Sequence, residues 1–329
     1  MACIIVLKIF EFLVNLATLL RFRVANIESC SNNQNVFVIN YILNVGKSNY
    51  CEYQGLNLPD RCRHFWQPVF AHCKNSDLLS IGHSFIELQS VDSTNNYAMA
   101  QAHAGTASHG TMFFAYDQWA GKGQRGKDWV STPGENIVVS TVLEPANLPI
   151  TQQFALSAAV ALACHDLFSH YAGPYDTAIK WPNDLYWCDR KAGGILIENT
   201  FKGDRWVYAI AGTGININQT QFPETARNPV SLKQITGRTF DAPVLARELG
   251  IFLEQRYQEL IKGNASILLE EYNRRLYRRE QRVRLKKDQV IFETVVKGVT
   301  PAGELVTRDV FERRFAHGTV EWIIEPRDR

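Results

Sequence analysis

The chain has 329 residues, which at roughly 100–200 residues per domain leaves room for two or three domains. Apolar residues make up 46% and charged residues 21%, a globular balance that excludes a disordered chain, a collagen-like chain and a polytopic membrane protein. A net charge of +2 gives no global field to draw in nucleic acid or a membrane surface.

In chain order, residues 2–20 are strongly apolar, but Lys8 and Glu11 interrupt the run and Arg21 and Arg23 follow it. A membrane span wants 18 or more apolar residues with few charges, and a signal peptide wants its cations in front. The segment therefore reads as a helix that needs a partner, with a poor signal peptide as the minor reading. Residues 26–49 are rich in Asn and read as loop. Val45-Gly46-Lys47-Ser48 carries the ending of a phosphate-binding loop, but Tyr41 stands where its first glycine belongs, so that motif fails. The cysteine count is odd, at seven, with five before residue 80. Cys62, His64, His72 and Cys73 raise zinc, yet no CxxC pair supports it, so free thiols and no metal site are expected. Residues 1–79 are thus expected to be an extension outside the chemistry. They read as an over-extended gene start, with a true start near Leu78 or Leu79 on a non-Met codon, since the only methionines are Met1, Met99 and Met112.

From residue 80 the texture changes. Residues 82–89 alternate as a strand. Ser93-Thr94-Asn95 then precedes an Ala-rich run, which marks a helix start with free N–H groups. Residues 111–119 read as a buried strand running into Ala120-Gly121-Lys122-Gly123-Gln124-Arg125-Gly126-Lys127-Asp128-Trp129. The spacing Gly121-x-Gly123-x-x-Gly126 matches a dinucleotide fingerprint, but no helix follows; residues 137–142 read as another strand. A strand-to-strand loop with three glycines and three cations suits a phosphate that orders it on arrival, the alternative being a mobile basic surface loop. Residues 151–171 form a clear helix, with His165 and His170 expected on its surface or end. Lys180-Trp181-Pro182-Asn183-Asp184 is a strand entering a turn, and Arg190-Lys191-Ala192-Gly193-Gly194 returns into a strand. Gly193 and Gly194 let a ligand lie on bare backbone. Residues 206–218 continue as a strand in which Asn216 and Asn218 share one face and Ile215 and Ile217 the other.

Five motifs in this order and spacing resemble those of biotin protein ligases, over roughly residues 80–329: Ser93-Thr94-Asn95, Gln118 with the 121–126 loop and Trp129, Lys180 to Asp184, Arg190 to Gly194, and Gly212-x-Gly-Ile-Asn216. The resemblance implies a class II aminoacyl-tRNA synthetase-like α/β (α+β) fold, a mixed central sheet flanked by helices, with a small C-terminal SH3-like β-barrel. It implies ATP-dependent activation of biotin to biotinyl-5′-AMP, with Mg2+, then transfer to one lysine of a carboxyl carrier protein. By match to the family, Lys191, Lys180 and Arg125 are the catalytic candidates. Ser93, Thr94, Asn95, Gln118, Gly121, Lys122, Gly123, Gln124, Lys191 and Gly194 would bind biotin. Lys122, Arg125, Gly126, Trp129, Asn183, Asp184 and Asn216 would bind nucleotide. Lys180 is either catalytic or an anchor of its turn. Many bacterial members read Gly-Arg-Gly-Arg where this chain has Gly121-Lys122-Gly123-Gln124, which puts retention of the adenylate in question.

Residues 244–279 read as helices with a basic run that Glu270, Glu271 and Glu280 interleave, a solvated face rather than a nucleic-acid patch. From Arg282 short strands follow, with turns at 301–303 and 316–318. The expected organisation is an extension at 1–79, a catalytic domain at 80–279 and a barrel at 280–329. The rival functions are a lipoate or octanoate ligase or transferase of the same superfamily and, ranked lower, a bifunctional ligase and repressor. The repressor needs a helix-turn-helix that residues 1–79 do not spell. The expected partner is the carrier domain of acetyl-CoA carboxylase or a related carboxylase, in the cytoplasm, without DNA or membrane; a homodimer stays open.

Overall fold

The computed structural model describes residues 80–324 except 146 and 227, together with 26–28 and 38–40. The apolar segment 2–20, the failed phosphate motif, the candidate zinc ligands, the proposed start near residue 78 and the missing helix-turn-helix all lie outside the described residues. The chain divides into two units, Met1–Asp77 and Leu78–Arg329. In the first, β1 (Asn26–Glu28) pairs antiparallel with β2 (Val38–Asn40), Ile27 opposite Ile39. The Asn-rich stretch is therefore not loop throughout: a three-residue ladder crosses it.

The second unit is built on a seven-stranded mixed sheet in the order β3-β4-β5-β9-β8-β7-β6. Its strands are β3 (Phe85–Val91), β4 (Met112–Gln118), β5 (Asn136–Leu143), β6 (Thr177–Lys180), β7 (Asp184–Trp187), β8 (Arg190–Lys202) and β9 (Arg205–Asn216). Only β3 and β4 run parallel, as the intervening α1 (Thr94–His103) requires; the other pairs are antiparallel. Helices cover both faces over β4 and β5, which read as nearly continuous apolar runs. Phe113, Val142 and Ile210 pack under Ala98 and Ala102 of α1. Met112, Phe114, Ile137 and Val139 face the main core, with α2 (Gln153–Ala172), α4 (Ala242–Ile261) and α5 (Ala265–Arg274). Among these, α3 (Leu232–Thr236) carries a full capping box between Ser231 and Gln234 and stops at left-handed Gly237.

Helix α2 is apolar on nearly every side and buried from Ala158 to His165. His165 is 1% exposed, with Nε2 3.2 Å from the Thr177 carbonyl, so its expected surface position is corrected: a helix enclosed by sheet and helices has no wet face there. His170 does lie exposed near the helix end. No helix among the described residues is long and apolar enough to cross a membrane.

The C-terminal strands form a five-stranded antiparallel sheet, β13-β12-β11-β10-β14: β10 (Arg282–Lys287), β11 (Val290–Val299), β12 (Leu305–Arg308), β13 (Glu312–Phe315) and β14 (Glu321–Ile323). Leu285, Val296, Leu305 and Phe315 join the main core, and the Trp181 indole donates to the Gly303 carbonyl at 2.9 Å.

Candidate active site

Strand register gathers the motifs. Lys180, Asp184, Gly194, Gly214 and Val138 are successive cross-strand partners, so they form one row across β6, β7, β8, β9 and β5. Two residues along, Leu196, Gly212 and Ser140 form the next row on that face; beyond it lie Ile210 and Val142, under α1. The face thus passes from apolar packing under the helix, to a polar patch at the helix N-terminus, to a bare glycine trough ending in charges.

Trp129 fills the trough. A Cβ on Gly214 would meet its ring at 2.5 Å, and one on Gly194 at 3.5 Å. Its Nε1 is buried without a partner. Part of the Trp129 ring surface, expected from the resemblance to contact nucleotide, is thus spent on the sheet.

At the charged end Asp184 bridges two cations: Lys191 Nζ lies 2.7 Å from Oδ1 and Lys180 Nζ 3.5 Å from Oδ2. Burial works to raise the Asp184 carboxyl, but Lys191 and then Lys180 overcome it and hold it below the usual carboxylate range. Burial pushes the Lys180 ammonium down, against the pull of Asp184 and with the push of Lys191 and Lys127. Lys180 also sits 5.3 Å from the Tyr186 ring centroid and 5.7 Å from that of Trp322. Asn183 clamps the turn: its Nδ2 donates to the Ile195 carbonyl at 2.6 Å, and the Ile195 N–H returns to the Asn183 carbonyl at 3.0 Å. The Asn216 amide donates to the carbonyls of Val230 at 3.1 Å and Lys191 at 3.4 Å, bracing the strand that carries Lys191.

At the helix N-terminus, Ser93 is the N-cap residue but its side chain makes no capping bond. The Thr94 N–H instead donates to Gln118 Oε1 at 2.9 Å, while Ser140 Oγ donates to Asn95 Oδ1 at 2.6 Å and lies within hydrogen-bond distance, 2.8 Å, of Thr94 Oγ1. Asn95 Nδ2 donates to Glu198 Oε2 at 2.7 Å. Ser93, Thr94, Asn95 and Ser140 are all buried.

The glycine loop spans β4 to β5 with a single 3-10 turn at Gln124–Gly126. Gly123 N–H donates to the Lys127 carbonyl at 2.6 Å and Trp129 N–H to Gly121 at 2.9 Å, which folds the loop back on itself. Gly121 is obligatory: a Cβ there would stand 2.3 Å from both Gln118 Nε2 and the Trp129 carbonyl. Lys122 Nζ donates to Asn96 Oδ1. Arg125 adopts a left-handed φ of 58° and lays its guanidinium against Gly318, in the turn before β14. Between this loop and Leu196 and Glu198 of β8 opens a cavity of about 500 Å³.

Tertiary structure adds Ser140, Glu198, Trp322 and Gly318, which the sequence did not single out. A serine inside the apolar run 137–142 was the available signal for Ser140. Nothing local marks Trp322 or Gly318, which arrive from the C-terminal sheet.

Against known proteins, the model of the Biotin/lipoate A/B protein ligase family matches residues 87–216. The chain is 35% identical over 175 residues to a Biotin--[acetyl-CoA-carboxylase] ligase from Paracoccus denitrificans, covering 49% of this chain and 70% of the relative. It is 33% identical over 184 residues to a Bifunctional ligase/repressor BirA from Bacillus spizizenii, covering 54% of this chain and 55% of that protein. The chain spans about half the length of the first curated relatives it matches. The structure of a biotin protein ligase from Aquifex aeolicus, solved with biotin and ATP, superposes with a TM-score of 0.63 at 21% identity over 74% of this chain and all of that one, which establishes the shared fold. At 35% identity over most of the Paracoccus relative, and with the family's own model spanning the rows that build the site, the chain belongs to the biotin/lipoate A/B protein ligase family.

Proposed function

We propose that this protein is a biotin protein ligase, with residues 80–279 as its catalytic domain and 280–329 as a cap that completes the site. The observation carrying this reading is the glycine trough holding Trp129 beneath a basic loop, with Lys191 and Lys180 sharing Asp184 at its end.

Two anions, a carboxylate and an α-phosphate, must approach each other, so fixed cations and N–H groups are the main requirement. A biotin carboxylate oxygen attacks the α-phosphorus of ATP; the new O–P bond forms as the α–β bridge breaks and pyrophosphate leaves. The amine of one carrier lysine then attacks the acyl carbon, releasing AMP and a proton. Lys191, 31% exposed at the trough, is suited to meet the carboxylate and the transferring phosphate. Lys180, drier and held between aromatic rings, acts here as the electrostatic support of Asp184 rather than as a mobile catalyst. Ser93, Thr94, Asn95 and Gln118 supply fixed donors and acceptors for the ureido ring, and the 121–126 loop with Arg125 closes over the intermediate and keeps water out. Trp129, Asn183 and Asn216 shape the nucleotide end. Mg2+ would come with the nucleotide's phosphates, whose oxygens supply most of its ligands.

The test is biotin-dependent ATP–pyrophosphate exchange followed by transfer of labelled biotin to a carboxyl carrier domain, with lipoate and octanoate run in parallel. Lys191→Ala should lower both steps by at least about a hundredfold, the scale of a lost charge stabiliser. A normal transfer rate in that variant refutes the assignment, and exchange with lipoate alone moves the protein to the sister activity.

A further inference from the structure

A second concavity, of about 480 Å³, lies away from the proposed site between the C-terminal end of α5 and the β11–β12 ladder. Arg274, Arg279, Lys297, Gly298, Thr300 and Val306 line it. Its floor is fixed: Asn273 Nδ2 donates to the Val299 carbonyl at 3.2 Å, and the Val299 N–H donates to Asn273 Oδ1 at 2.7 Å, where β11 bulges between Val296 and Gly298. Lys297 is paired with Glu280, but Arg274 and Arg279 are exposed and, among the described residues, form no salt bridge. Arg279 is close enough to Glu280 to help hold that carboxyl below its usual range, but both guanidinium groups stay exposed on the groove, available to an acidic partner.

The surroundings share the sign. Residues 274–324 hold twelve Lys and Arg against seven Asp and Glu, an excess larger than the +2 of the whole chain. Arg282 and Arg284 are exposed on β10 beside buried Leu285, and Arg308 is exposed on β12. The groove is also structurally continuous with the proposed site. Tyr272 on α5 donates to the Pro182 carbonyl at 3.0 Å, Ile179 N–H donates to the Arg275 carbonyl at 2.8 Å, and Trp181 donates to Gly303. The turn that carries Lys180 and Asp184 is thus held by the elements that wall the groove.

We propose that this groove docks an acidic face of the carrier protein whose lysine is modified. The inference rests on the ligase reading above, which requires a macromolecular second substrate. An acidic protein face fits better than nucleic acid. Glu270 borders the groove, and Glu293, Glu312 and Glu321 interrupt the cations of the C-terminal sheet, breaking the unbroken stripe that a phosphate backbone tracks. Interspersed signs instead suit an interface that steers a partner and fixes its register.

The experiment compares the two half-reactions in Arg274→Glu/Arg279→Glu and in the milder Arg274→Gln/Arg279→Gln. ATP–pyrophosphate exchange needs no carrier and serves as the internal control for folding and chemistry. The charge-reversal variant should keep wild-type exchange and lose at least about tenfold in kcat/KM for a purified carrier domain at low salt, with the glutamine variant between them. The deficit should shrink in about 0.5 M NaCl, where exposed charges are screened. Equal rates in both half-reactions, or proportionate losses in both, overturn the docking proposal. So does a salt-sensitive loss of binding to a DNA or RNA duplex with unchanged transfer, which would make the groove a nucleic-acid surface. Absence of exchange in the wild-type protein instead sinks the ligase reading itself.

Discussion

Replacing Asp184 by Asn tests the charge arrangement on which the site depends. The variant is nearly isosteric, so it removes the charge and little volume. It leaves Lys191 and Lys180, 2.7 and 3.5 Å away, without their shared carboxylate. At an effective dielectric of about 20, each contact is worth roughly 4–6 kcal/mol gross. Most of that offsets the desolvation of the carboxylate itself, whose side chain is 17% exposed. Lys191 can turn to water; Lys180, at 13% exposure, cannot do so without moving. A net loss of about 2–3 kcal/mol follows, at the low end of the cost of breaking a buried pair because solvent reaches one partner. For a unit of this size that is a drop in Tm of about 5–10 °C. The pH dependence has a definite sign. A carboxyl held below its ordinary 3.8 contributes stability that is fully present above that value and lost as pH falls through the depressed folded value. Urea unfolding of both proteins should therefore show a constant gap from neutral pH to about pH 4, closing only in stronger acid. A gap below about 0.5 kcal/mol at pH 7, or one that closes between pH 7 and 5, refutes the reasoning.

Gly212→Ala should destabilise by about 2–4 kcal/mol in urea titration. The new Cβ would stand 2.1 Å from Asn95 Oδ1, and Asn95 is buried and tied to Ser140 and Glu198, so overpacking adds to a broken hydrogen bond. An unchanged midpoint would mean that this network yields freely. Gln124→Arg should slow dissociation of the adenylate by up to about tenfold, the worth of one charge-assisted contact from the loop. A stopped-flow or filter-binding off-rate equal to wild type discards that role for position 124.

The local elements were legible because each carries its own physics. The run 111–119 had to be a covered strand, and it is, with Phe113 and Phe114 serving opposite faces. The glycines of the 121–126 loop could not open a dinucleotide-binding helix when another strand followed so soon, and they lie on the β4–β5 connection. His165 misled because a helix surface exists only if nothing covers it, and what covers α2 comes from residues far along the chain. The family resemblance points to Asn216 and Asn183 as nucleotide contacts, and residue type cannot show what else holds their amides. Their amides are spent on backbone carbonyls that appear only once β8 and the 228–230 segment are in place.

The sequence by itself determined the periodicities, the turn chemistry and the set of residue types able to handle two anions, because these depend on neighbours within a few positions. Only the tertiary structure decided which of them share a face. Register lines up Lys180, Asp184, Gly194 and Gly214 across strands, and a slip of one residue would turn each to the other side. It also brought Trp322 to Lys180 and Gly318 to Arg125, contacts between residues more than a hundred positions apart. Such pairings are set by the burial of a common core that both sheets share, and no local pattern encodes them.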